Sequence, residues 1–95
     1  MQVEHLIFTA HAVRQMFSRE IRTQAVREVI RSGTPVAEYS EDRPHPSCLL
    51  LGFIEKRALH VVLAVDESTL TGYVITAYWP DPDLWTADFK TRKAR

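Results

Sequence analysis

The 95 residues predict an α+β domain, with two N-terminal helices packed on one face of an antiparallel sheet of about four strands. Three observations carry that prediction. Helical spacing of apolar residues confined to the first third gives way after Gly33 to alternation of period two. A glycine and a proline, Gly33 and Pro35, mark the change. The later strand candidates are separated by spacers too short for a parallel crossover, so their pairing should be antiparallel.

In chain order, a short apolar stretch, Leu6 to Phe8, leads into Thr9, a residue able to cap a helix running to about Arg19. On a helical wheel Val13, Met16 and Phe17 point one way. His11, Arg14, Gln15 and Ser18 fall within about one third of the circumference on the other side. A second helix fits Thr23 to Ser32, with Ala25, Val26, Val29 and Ile30 as its buried stripe and Gly33 as its stop. Arg27 and Arg31 share its outer face. Val36 to Tyr39 reads as a short strand, followed by a proline-punctuated loop to Ser47. Three strands follow, over Cys48 to Glu55, Ala58 to Asp66 and Gly72 to Trp79, after which Pro80 and Pro82 lead the chain out of the sheet.

Alternation places Leu59, Val61, Leu63 and Val65 on one face of their strand and His60, Val62 and Ala64 on the other. If the next hairpin is symmetric about Thr69, His60 lies opposite Tyr78 and Val62 opposite Thr76. The more apolar set would meet the helices, leaving His60, Thr76 and Tyr78 together on the far face, with Val74 beside them.

Composition bounds the function. One domain spans residues 1–95, its core about 6–86, with a basic tail over 89–95. Net charge is zero, but residues 9–35 carry five arginines against Glu20 and Glu28, and the tail adds Lys90, Arg92, Lys93 and Arg95. Folding that joins the two basic segments would suit a polyanion; a solvated helix face plus a frayed tail is the plainer alternative. Zero net charge argues against a non-specific nucleic-acid coat. No apolar run reaches the roughly 18 residues of a membrane span, and no secretory leader is evident, so a cytoplasmic protein without a membrane partner is expected. The single cysteine, Cys48, excludes an internal disulfide, and the spacing of His45, Cys48 and His60 fits no common zinc site. The three glycines are isolated, which argues against a nucleotide-binding loop. No metal or cofactor is expected.

The remaining chemistry lies in histidines, arginines and tyrosines. Cleaving RNA without a metal requires a base for the 2′-hydroxyl, an acid for the leaving 5′-oxygen, and cationic groups around the phosphate. His11 and His60 suit either proton role, with His45, Tyr78 and Tyr39 as further donors. Arg14, Arg19, Arg43 and Arg92 are candidate phosphate clamps, and Trp85 and Tyr78 could stack on bases. Each has an ordinary alternative. His60 could be a structural histidine, His11 part of a helix start, Arg43 a loop tie, and Trp85 a lid on the core.

Phe8-Thr9-x-His11-Ala12 with Arg14, Met16 and Arg19-x-Ile21 resembles the opening of the bacterial domain of unknown function 4258. So do Asp42-Arg43-Pro44-x-Pro46-Ser47, Leu59-His60-Val61-Val62 and Val74-Ile75-Thr76-Ala77-Tyr78-x-Pro80, and Trp85 with the terminal basic residues extends the likeness. That family in turn resembles the RelE/ParE-like toxins of bacterial toxin–antitoxin pairs in size and element order. The resemblance implies a RelE-like fold, metal-independent endoribonuclease activity on RNA, and a cognate antitoxin protein as partner. Sites carry over at His11, Arg14, Arg43, His60 and Tyr78. A non-catalytic module that binds a protein partner through its basic face is the competing expectation. Oligomeric state is not legible.

Overall fold

The computed structural model describes residues 2–94; Arg95, counted above in the basic tail, lies outside them. The elements run β1 (His5–Phe8), α1 (Ala10–Ser18), α2 (Thr23–Ser32), β2 (Thr34–Tyr39), β3 (Ser47–Ile54), β4 (Arg57–Asp66) and β5 (Thr71–Tyr78). They form a five-stranded sheet in the order β1-β5-β4-β3-β2. The β2–β3, β3–β4 and β4–β5 pairs are antiparallel, whereas β1 pairs parallel with β5. This corrects the expectation of about four antiparallel strands. The fifth strand is only four residues long, too short to show alternation. Its partner is the last strand of the chain, and no local signal encodes that pairing.

α1 begins where Thr9 caps it. The Thr9 hydroxyl accepts from the Ala12 amide (3.1 Å) and donates to the Val74 carbonyl (2.9 Å). One side chain therefore starts the helix and fastens it to β5. α1 packs against β5, while α2 packs against β3 and β4, so the two helices cover different strands. Ala12 and Met16 are the buried positions of α1. Val13 and Phe17, which the helical wheel grouped with Met16, are exposed. The inner side of α1 is instead Ala12, Gln15, Met16 and Arg19, because the helix lies against a strand edge that needs polar partners.

α2 buries Val26 and Val29, with Ala25 and Ile30 partly buried against the same core. Gly33 ends the helix with φ −74°, so its role is space rather than a left-handed turn. A Cβ there would stand 2.4 Å from the Val29 carbonyl oxygen and 2.8 Å from that of Leu51. Gly52 does the same for packing, since a Cβ on β3 would meet Val29 Cγ2 at 2.7 Å. Leu50, Leu59, Val61, Leu63, Val74 and Ala77 complete the core beneath the helices.

The β4–β5 pairing places His60 opposite Tyr78 and Val62 opposite Thr76, as hairpin symmetry predicts. The register then shifts, so Leu63 faces Val74. Ile75 is the residue left over, a β-bulge. It turns Val74 into the helix-side core rather than onto the His60 face. In the β3–β4 turn both Glu55 and Lys56 have positive φ (49° and 71°), the backbone of a two-residue hairpin whose twist matches the strands.

Candidate functional site

β1 ends opposite Val74, so the remainder of β5 has no strand on its outer side, and α1 runs along that edge. Arg19 supplies the missing donor. Its guanidinium donates to the Ala77 carbonyl (2.8 Å) and to Gln15 Oε1 (3.3 Å). Gln15 Oε1 also accepts from the Thr76 hydroxyl, and Trp79 Nε1 donates back to the Arg19 carbonyl (2.9 Å). His11, Gln15 and Arg19 stand at i, i+4 and i+8, one row of α1.

Across the sheet from the helices, His60 is fully buried at 0% exposure. The segment that leaves the sheet after Pro80 folds back over it. Trp85 stands edge-on to the imidazole at 4.5 Å between centroids and is itself only 9% exposed. His60 Nε2 lies 2.8 Å from the Phe89 carbonyl and Nδ1 lies 3.2 Å from the Tyr78 hydroxyl. A carbonyl can only accept, so Nε2 carries the proton and Nδ1 accepts from Tyr78. This assignment is that of the neutral ring, the form that burial favours. Burial pushes its pKa below the ordinary histidine value, opposed in part by the Phe89 carbonyl bond.

Tyr78 is half-buried, and its phenol is held above the ordinary tyrosine range, first by burial and then by nearby Tyr39; Arg92 and Arg19 act in the opposite direction. Its hydroxyl therefore stays protonated at neutral pH with the proton directed at His60. Arg92 lies over the Trp85 ring at 5.6 Å, fixed by the bridge pairing of Trp85 with Arg92.

The structure gathers His60, Tyr78, Trp85, Arg92 and Arg19 around this corner of the sheet. It does not bring the others into contact with them. His11 and Arg14 are exposed on α1. Arg43 turns back on its own loop, donating to the carbonyls of Glu41 and Asp42 at 3.3 Å each. His45 stacks flat on Tyr73 at 5.6 Å and lies 3.9 Å from Asp66. Trp85 serves as a lid, its ring turned to His60 rather than to solvent. Sequence reasoning missed Gln15, whose spacing from Arg19 was the available signal. It also missed the Phe89 carbonyl, for which no sequence signal exists. Among the described residues no group of three His, Cys, Asp or Glu is placed to hold a metal ion, and no helix is long and apolar enough to cross a membrane.

A two-helix, five-strand mixed sheet with a polar corner built on the last strand defines an α+β domain. The family model for the domain of unknown function DUF4258 matches residues 8–79, well over half of the chain, and the protein belongs to that family. Neither a curated protein nor a solved structure matches the chain.

Proposed function

We propose that the chain is a small toxin-like endoribonuclease, similar in kind to the RelE toxins, that cleaves RNA by acid–base chemistry at Tyr78. One observation carries the reading. A half-buried phenol directs its proton to a buried neutral imidazole whose other nitrogen is anchored on a carbonyl. As the 2′-hydroxyl proton passes to Tyr78 Oη, the phenol's own proton passes to His60 Nδ1. The 2′-oxygen then bonds to phosphorus, and the bond from phosphorus to the 5′-oxygen breaks, leaving a 2′,3′-cyclic phosphate. Arg19 and Arg92 would balance the charge that develops on the phosphate. His11 and Arg14 stand about 12 Å or less along α1 from Arg19 and would meet RNA beyond the scissile phosphate, so the proton for the leaving 5′-oxygen comes from solvent water. A cognate antitoxin is the expected protein partner, and the bacterial cytoplasm the expected compartment.

Single-stranded RNA incubated with the purified chain tests this. Tyr78→Phe and His60→Gln, each confirmed to be folded, should slow cleavage by about a hundredfold or more. Wild-type rates in either folded variant would refute the relay. The second reading, a non-catalytic module that binds a protein partner, is favoured by one fact: both nitrogens of His60 are already satisfied inside the protein, as a structural histidine requires. RNA left intact by the wild-type chain, in vitro and during induced expression in a bacterial host, would select it.

A further inference from the structure

A guanidinium carries five N–H donors in one rigid plane. At Arg19 a single nitrogen spends both of its hydrogens inside the protein. Nη1 donates to the Ala77 carbonyl at 2.8 Å and to Gln15 Oε1 at 3.3 Å, and Gln15 Oε1 is held in turn by the Thr76 hydroxyl. The other edge of the group is untouched. Arg19 is half-buried, yet Nε and Nη2 have no partner among the described residues, and no unpartnered side-chain nitrogen there is sealed from solvent. Both therefore face water. No carboxylate pairs with Arg19 either: the ion pairs among the described residues are Arg31 with Glu28 and His45 with Asp66. Glu20, next in the chain, lines the cleft with Ala25 and Trp79, and α1 itself contains no acid.

We infer that Gln15 and Thr76 are positioning residues that hold Arg19 as a side-on fork for two oxygens of one phosphate group. Closing the edge of β5 needs one N–H, and the Ala77 carbonyl takes it. The second bond, to Gln15, adds nothing to the sheet. Two acceptors on one nitrogen instead fix the plane of the guanidinium, and Nε–H and one Nη2–H are left parallel on its open edge. Paired donors of that kind match the oxygens of a phosphate or a carboxylate. The surroundings select phosphate, because Arg92 is a second cation close enough to Tyr78 to act on it alongside Arg19. Apart from its place over the Trp85 ring, the Arg92 guanidinium has no partner among the described residues. Holding Arg19 in advance also spares the ordering that a free arginine undergoes on binding. That the phosphate is the scissile one rests on the ribonuclease reading; the fork itself stands without it.

The probe is a short thymidine oligodeoxynucleotide, which carries phosphodiesters but no 2′-hydroxyl and so binds without being cleaved. Titrated at low salt into the isotope-labelled full chain, it should move the Arg19 Nε–Hε resonance. Gln15→Leu and Thr76→Val, each shown to be folded by circular dichroism, should weaken that binding by about two- to tenfold, the cost of ordering one long side chain. Arg19→Lys keeps the charge and loses the fork, and should weaken it at least as much. A merely structural Gln15 would leave the response of Arg19 to the anion unchanged. Inorganic phosphate is the second arm. If it moves the same resonance only at higher concentration, the fork reads a nucleic-acid backbone; if at lower concentration, a free or terminal phosphate. An Arg19 resonance that neither probe moves, or Gln15→Leu and Arg19→Lys variants that bind both probes like wild type, would overturn the inference. RNA left intact by a chain whose Arg19 resonance still moves would remove the ribonuclease reading and keep the fork. Cleavage at the wild-type kcat by folded Gln15→Leu would do the reverse.

Discussion

Removing one oxygen atom, in Tyr78→Phe, should destabilise the protein measurably. The phenol hydroxyl is the partner of His60 Nδ1 at 3.2 Å, and the imidazole is fully buried. The ring cannot turn to find another partner, because Nε2–H is held by the Phe89 carbonyl at 2.8 Å and Trp85 closes the remaining side. The variant therefore leaves a buried acceptor unsatisfied, at a cost of about 1–3 kcal/mol. In a domain of this size each kcal/mol lowers the midpoint by about 4–8 °C, so a fall of about 5–20 °C is expected by calorimetry. The control is the same change in a His60→Leu background, where no acceptor remains to be orphaned. There Tyr78→Phe should cost less than about 0.5 kcal/mol, giving a coupling of about 0.5–3 kcal/mol between the two positions. A Tyr78→Phe midpoint within error of wild type, or equal losses in both backgrounds, would refute the hydrogen-bond assignment.

The depressed pKa of His60 also sets a pH window. The folded ring binds a proton less readily than the unfolded one, whose value is near 6.5. The unfolded state thus holds more protons below that pH, and stability should be complete above about 6.5 and fall as acid is added. Urea midpoints between neutral pH and about pH 5 should show this slope, and His60→Leu should flatten it. Losses from Asp66 and Asp88, whose carboxyl pKa values are lowered chiefly by the side-chain hydrogen bonds of Ser68 and Thr86, belong to a more acidic range. Gly33→Ala should cost about 1–3 kcal/mol in the same denaturation assay, because backbone oxygens of both α2 and β3 obstruct the new methyl. Lys56→Gly should instead stabilise by up to about 1 kcal/mol by relieving a positive φ of 71°, read as a raised thermal midpoint.

Local chemistry made much of this fold legible before any coordinates. Thr9 and Gly33 bound the two helices because caps and breakers act within a turn of themselves. The facing of His60 and Tyr78 followed from counting across a short hairpin. What escaped was non-local. The Ile75 bulge slipped the register and moved Val74 into the core. The parallel contact between β1 and β5 joins opposite ends of the chain. Phe17 looked like core because hydrophobicity does not say which side of α1 meets the sheet, and the strand edge drew Gln15 and Arg19 inward. For the candidate site, sequence located the tyrosine, the histidine and two arginines. It could not show that a main-chain carbonyl from a proline-led tail would select the tautomer.

The boundaries of the family match have a practical consequence. A recombinant fragment cut at residues 8 and 79 would lose His5 to Ile7, most of the parallel strand. It would also lose Trp85 and Phe89, stripping a buried imidazole of its roof and of its acceptor at once. Such a fragment would present a wet apolar trench where the intact protein has a sealed one. Its aggregation or inactivity would report on the missing flanks and not on the family's chemistry. Fragments of this domain should carry the chain through at least Lys93, whose amide donates to the Leu84 carbonyl at 2.9 Å and closes the returning loop on itself.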